Sequence, residues 1–171
     1  MGTKIVIIGN GGSGKSTLAK KLAVRTGYPL YHLDLLTFNE DGSNVSEAHF
    51  TERLNEILVT DQWIVEGWSY QSTMQARLSA SDTIIYLDYP IWICYWNALK
   101  RTMKSTFRHN EFSPVRTSLW PHTVRIAKAM WRVHTMLEPK TRVLLEEYIR
   151  LKFYYHPKNR RELKLMWAMW F

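Results

Sequence analysis

"KIVIIGNGGSGKST" (residues 4–17) joins a short apolar run to four glycines, Lys15 and the hydroxyls of Ser16 and Thr17. The β-branched residues of "KIVIIG" (4–9) predict a buried parallel strand. Gly9, Gly14, Lys15 and Ser16 fit the pattern G-x-x-x-x-G-K-[ST], and the helical pattern that follows supplies the required strand–loop–helix context. The chemistry explains the residue types. Glycines let backbone N–H groups turn inward around phosphate oxygens, and the positive helix end adds to the cradle. Gly9, Gly11, Gly12, Ser13 and Gly14 therefore form the predicted cradle. Lys15 neutralises outer phosphates, the Ser16 hydroxyl is placed for Mg²⁺, and Thr17 reaches an inner phosphate.

The chain has 171 residues, 46% of them hydrophobic and 22% charged, which suits one globular domain spanning 1–171. Cys94 is the sole cysteine, which excludes an intramolecular disulfide framework and a multi-cysteine zinc site. No stretch has the length of a membrane span, and the start lacks the form of a secretory leader. A reducing, cytoplasmic setting is the expectation. Charge is divided unevenly. Residues 1–99 hold seven basic and ten acidic residues, net −3, while residues 100–171 hold sixteen and five, net +11. The basic half suits phosphates, nucleic acid, anionic membrane or simply solvent.

Working outward, Ser13 to Thr26 reads as a helix stopped by Gly27. "PLYHLD" (29–34) is a second strand, and "EDGSN" (40–44) a loop. Ser46 caps a helix to about Leu58. "WIVEG" (63–67) and "TIIYLD" (83–88) are strands three and four, with a short helix at 72–81 between them. A long helix starts at Pro90 and breaks at "RHNEFSP" (108–114). Two further helices are predicted at about 122–135 and 139–151. "KFYYH" (152–156) is strand five, and "NRRELKLMWAMW" the last helix. Strands alternating with helices predict an α/β parallel sheet.

Asp34, Glu66 and Asp88 each end a predicted strand, at the sheet edge where open α/β folds bind ligands. Glu66 or Asp34 suits Mg²⁺ through water, and Asp34 suits an acceptor hydroxyl. Asp88 stands beside Pro90 and equally suits a helix start. Arg101, Lys104 and Arg108 share one helix face, and Arg125, Lys128 and Arg132 repeat that spacing.

The whole sequence resembles the small P-loop kinases related to adenylate kinase, and among these it is most similar to the DNA topology modulation (FlaR-like) proteins. The resemblance rests on "GNGGSGKSTLAKKLA" (9–23), "LYHLDLLTF" (30–38), "WIVEGWS" (63–69) and "RLSASDTIIYLDYP" (77–90). It implies a three-layer P-loop NTPase fold with a five-stranded parallel sheet, an acceptor-covering insertion at about 35–62 and a basic helical lid at about 101–132. It implies ATP and Mg²⁺ as cofactors, with Arg101 and Arg108 neutralising the transferring group. Arg77 resembles a family arginine that binds an acceptor anion, with pairing to Asp82 as the other reading. Lys158 and Asn159 lie where relatives seat the donor base.

One departure bears on the acceptor. Adenylate kinases follow strand three with Asp-Gly-Phe-Pro-Arg, whereas "EGWSY" has neither proline nor arginine, and Arg53 is the lone strong cation of 35–62. Phe38, Trp63, Trp68 and Tyr70 are candidate walls of a cleft for a ring, a sugar or an apolar acceptor. The expectation is phosphoryl transfer from Mg-ATP to a small molecule by a monomer or homodimer. The alternatives are a nucleic-acid-binding regulator with ATP as a switch, and an ATPase that drives a conformational step.

Overall fold

The computed structural model describes residues 2–38, 43–107 and 119–170. Side chains of 104–107 and 119–123 fall outside that description. Five strands form one all-parallel sheet in the order β2-β3-β1-β4-β5. They are β1 (Lys4–Gly9), β2 (Leu30–His32), β3 (Trp63–Glu66), β4 (Thr83–Leu87) and β5 (Phe153–Tyr155). Strand β1 is central, so the loop that leaves it lies mid-edge, between β3 and β4.

Alternation along β1 divides the core. Ile5 and Ile7 face α1 (Lys15–Thr26) and α8 (Arg160–Trp170), meeting Leu18, Ala19, Leu22 and Met166. Val6 and Ile8 face the opposite layer, built by α3 (Glu47–Leu58), α4 (Met74–Ala80) and α7 (Glu138–Tyr148). Both faces of the sheet are covered, which explains the uninterrupted apolar runs of β1 and β4. A third cluster joins α5 (Ile91–Phe107) to α6 (Leu119–Arg132) through Cys94, Ala98, Ile126 and Met130.

The predicted three-layer α/β architecture is therefore the observed one. Three local differences have physical causes. Strand two ends at His32, and Leu33–Leu36 turns into the short helix α2, which swings Asp34 off the strand line. The expected gap between helices at 135–139 is absent. Helix α6 runs into α7 through a π-helical segment, Val133–Leu137. Pro139 has no N–H to give, and the wider turn before it takes the ring without ending the helix. The predicted break at 108–114, with Arg108 and Pro114, lies outside the described residues. Ser46 caps α3 as expected, its side chain accepting from the His49 N–H.

Candidate functional site

The glycine loop is built against three neighbours. Gly12 has φ +75°, and a Cβ there would lie 2.2 Å from the Cys94 carbonyl oxygen. The Asn97 side-chain amide donates to the Gly12 carbonyl at 3.0 Å, so α5 holds the loop directly. Asn10 donates to the Met130 carbonyl on α6 at 3.1 Å and accepts from the Gly11 N–H at 2.7 Å. From the other side, the Trp68 indole N–H donates to the Gly9 carbonyl at 2.7 Å. Gly14 caps α1 in the left-handed region, and the space where its Cβ would lie is open.

A cavity of about 1100 Å³ opens on this loop. Residues 12–18 form its floor. Lys15, Lys21, Lys100, Arg101, Arg160 and Lys164 line it, and among the described residues no carboxylate does. Tyr89, Leu163 and Trp167 supply apolar wall. A strip of N–H groups among six cations matches a polyphosphate in both charge and hydrogen-bond sense. The Cys94 thiol beneath the loop is buried, and that burial pushes its pKa up to about 11, leaving it a packing group.

The second half of the site is the edge of β2 and β3. His32 and Glu66 are paired in the β-ladder, and the His32 Nδ1 lies 2.5 Å from Glu66 Oε1. Glu66 is 3% exposed, and its Oε2 is buried without a hydrogen-bond partner. Asp34 is exposed on α2 and flanks the loop at Gly67, where φ is +121° and a Cβ would stand 3.0 Å from Asp34 Oδ1.

Arg77 departs from both roles expected of it. It is fully buried and spends its guanidinium on backbone carbonyls. Nη1 donates to Gly67 at 2.9 Å, Nη2 to Trp68 at 2.9 Å and Nε to Thr73 at 3.3 Å. Burial lowers its pKa to about 10, against the opposing pull of Asp34. Asp82 is engaged elsewhere, accepting from the Thr3 and Lys4 N–H groups. Arg77 thus holds the loop after β3 in shape instead of meeting a ligand anion.

Lys158 and Asn159 also differ from expectation. Asn159 Oδ1 accepts from the Arg161 and Glu162 N–H groups, while Glu162 accepts from the Lys158 N–H and the Asn159 amide. They form the cap of α8. The cavity is lined one turn later, by Arg160, Leu163, Lys164 and Trp167. That i, i+3, i+4, i+7 stripe was a readable signal, as were Lys21 and Lys100. Of the basic stripes, Arg101 reaches the cavity, Arg108 lies outside the described residues, and Arg125, Lys128 and Arg132 are exposed on the outside of α6.

The aromatic candidates separate. Trp63 is core, Trp68 is buried against Gly9, Tyr70 donates to the Val45 carbonyl, and Phe38 is half exposed. Asp88 belongs to a structural network with Arg142 at 2.8 Å and His156 at 2.9 Å. Among the described residues no three His, Cys, Asp or Glu side chains cluster as a metal cage. Nor, among them, is any helix long and apolar enough to cross a membrane.

Comparison with known proteins is consistent with this geometry. The chain is 29% identical over 121 residues to the shikimate kinase of Rhodococcus jostii (strain RHA1), covering 63% of this chain and 70% of that protein. In fold it resembles the Acinetobacter baumannii shikimate kinase solved with shikimate, at TM-score 0.59 and 17% identity over 99% of this chain and 94% of that one. It also resembles a sugar kinase from Janibacter sp. HTCC2649, solved unliganded, at TM-score 0.53 and 17% identity over 99% and 93% of the two chains. No family model matches the sequence. The fold is that of the P-loop small-molecule kinases. With its phosphate loop and its curated kinase relative, the chain stands in the class of ATP-dependent small-molecule kinases.

Proposed function

We propose that the protein transfers the γ-phosphoryl group of Mg-ATP to a hydroxyl of a small molecule. The observation that carries this reading is the cavity on the glycine loop, lined among the described residues by six cations and no carboxylate. That donor set fits a triphosphate. Lys15 and the N–H groups of Gly12 and Gly14 hold the outer phosphates, and Thr17 an inner one. Trp167 and Leu163 provide the apolar surface that a base would meet.

The residues also fit Mg²⁺ in the manner of P-loop proteins, where one hydroxyl and phosphate oxygens suffice. Ser16 offers that hydroxyl, and Glu66 retains one unpartnered carboxylate oxygen for a held water. Bound there, the ion would screen charge on the transferring group. Arg101 and Arg108 add positive charge on the lid side, and Asp34 orients the acceptor hydroxyl. Phosphoryl transfer asks mainly for such positioning and charge neutralisation. The insertion at 35–62, the lid at 101–132 and the single domain over 1–171 complete the proposal. The narrower kinship with DNA topology modulation proteins rests on the quoted sequence blocks.

The test is binding of Mg-ATP by calorimetry, with ADP release measured across a panel of alcohols. Lys15→Ala should weaken binding and turnover by about a hundredfold, the scale of removing one oriented charge-stabilising donor. Absence of ATP binding by the unaltered protein would sink the reading.

A further inference from the structure

The α5–α6 pair carries a surface that the phosphate cavity does not use. Trp92, Trp96, Leu99 and Met103 follow one another at i, i+4, i+7 and i+11, so they share one face of α5. All four are exposed, Trp92 by 68% and Trp96 by 57%. A groove of about 340 Å³ runs between the two helices, floored by Ala98, Ile126, Ala127 and Met130. On its far side Val124 and Trp131 stand three residues before and four after Ala127, both exposed. An apolar surface of this extent marks a place where something docks.

Two features say what covers it. The first is charge. Helix α5 contains three cations and α6 three, and neither contains an Asp or Glu. The Lys100 ammonium lies 4.9 Å from the Trp96 ring centroid, on one flank of the band. Arg125, Lys128 and Arg132 are exposed on the other flank, next round the helix from Val124 and Trp131. The apolar band is therefore framed by positive charge. A second copy of the same face would set cations against cations.

The second feature is hydrogen bonding. Tyr95 and Thr102, the polar side chains of the groove, turn their hydroxyls onto helix carbonyls. Tyr95 donates to Ala127 at 3.2 Å and Thr102 to Ala98 at 3.1 Å. Among the described residues, the groove floor thus offers apolar contact alone. A peptide backbone or a base edge would lose water there and find no partner. Hydrocarbon has no such groups to lose.

We propose that this α5–α6 face docks on an anionic phospholipid bilayer. The indole rings, Leu99 and Met103 enter the boundary between headgroups and acyl chains, which suits both the ring of tryptophan and its N–H. Lys100, Lys128 and Arg132 meet headgroup phosphates, their stems lying along the apolar band. The contact is peripheral, since no helix among the described residues is long and apolar enough to cross a membrane.

The test is co-sedimentation of the purified protein with two kinds of vesicle at physiological salt. One is phosphatidylcholine alone, the other phosphatidylcholine mixed with phosphatidylglycerol. Binding to the anionic vesicles should be tighter by about tenfold or more. Lipid brominated on its acyl chains should quench the tryptophan fluorescence. Trp92→Ala with Trp96→Ala removes exposed rings, so thermal unfolding should stay near that of the parent while vesicle binding falls about tenfold or more. Lys128→Glu with Arg132→Glu, neither of which lines the phosphate cavity, should abolish the preference for anionic vesicles. Failure to bind anionic vesicles overturns the proposal, whether the face then proves to hold single-stranded DNA or a second copy of the chain. So does equal binding to both vesicles, or binding that is unaltered in either double variant.

Discussion

The indole N–H of Trp68 donates to the carbonyl of Gly9 at 2.7 Å, tying the loop after β3 to the first glycine of the phosphate loop. Gly9 is buried, so water cannot replace that donor. Trp68→Phe keeps the ring and removes the bond. It should cost about 1–3 kcal/mol of stability, the price of an unsatisfied buried carbonyl, and weaken ATP binding. Trp63→Phe is the control. Trp63 is equally aromatic and fully buried, but its N–H has no partner to lose. Urea denaturation and nucleotide titration of both variants check this; equal effects from the two would reject the coupling.

Arg77 should behave as a structural residue. Arg77→Met would strand buried carbonyls at roughly 1–3 kcal/mol each, so a total loss of about 3 kcal/mol or more is expected. Arg77→Lys should rescue little, because one ammonium cannot reproduce a planar fork spread over several carbonyls. Were Arg77 a ligand-binding cation, both variants would keep their melting temperature and lose only acceptor affinity. Thermal unfolding and acceptor KM separate these outcomes.

Two adjacent glycines predict opposite tolerance. At Gly12 an added Cβ meets the Cys94 carbonyl at 2.2 Å, with φ at +75°. Backbone cannot yield as a side chain can, so Gly12→Ala should lose ATP binding and destabilise by roughly 1–3 kcal/mol or more. At Gly11 the same Cβ meets side-chain atoms alone, the Met130 Cγ at 2.8 Å and Sδ at 3.2 Å, so the buried methionine must shift but no backbone need do so. Gly11→Ala should fold, with a smaller loss of stability than Gly12→Ala and a modest change in nucleotide affinity. Calorimetric binding and unfolding of the pair decide it.

Acid sensitivity should run through Asp88. Its hydrogen bond from His156, with the Arg142 charge in support, holds its pKa below the ordinary carboxylate value against partial burial. A carboxylate depressed in the folded state contributes stability that is present above the unfolded pKa of about 4 and is lost as pH falls through the folded value. Asp88→Asn should therefore flatten the acid limb of the stability profile below about pH 4. Unfolding free energy measured from pH 2 to pH 7 tests this; an unaltered acid limb would remove Asp88 as its source.

Much of the fold was legible because it depends on local pattern. β-Branched runs marked β1, β3 and β4, and short runs with tyrosine marked β2 and β5, each within two residues of the observed ends. Ser46 announced its helix through its own hydroxyl. The phosphate loop was legible for the same reason: its glycines, lysine and hydroxyls act through backbone and side chains contiguous in sequence. Misreadings arose where partners are distant. Arg77 looked like an anion binder because its residue type usually is one, and only the folded chain brings the Gly67 and Trp68 carbonyls around it. Lys158 and Asn159 were close to the cavity in sequence but were diverted by Glu162 into a cap.

By itself, then, the sequence determined a parallel α/β sheet with a glycine-rich P-loop at its edge, since hydrophobic period and loop chemistry are properties of short segments. Tertiary structure alone decided which side chains face the ligand. It gathered Lys21, Lys100, Arg160 and Lys164 from three helices onto one cavity. It placed His32 against Glu66 through strand register, and it turned the Trp68 and Tyr70 donors onto the carbonyls of Gly9 and Val45. The reason is physical. A side chain's chemistry is set by its residue type, but its availability is set by what else reaches it, and hydrogen bonds between distant segments settle that only when the chain is packed.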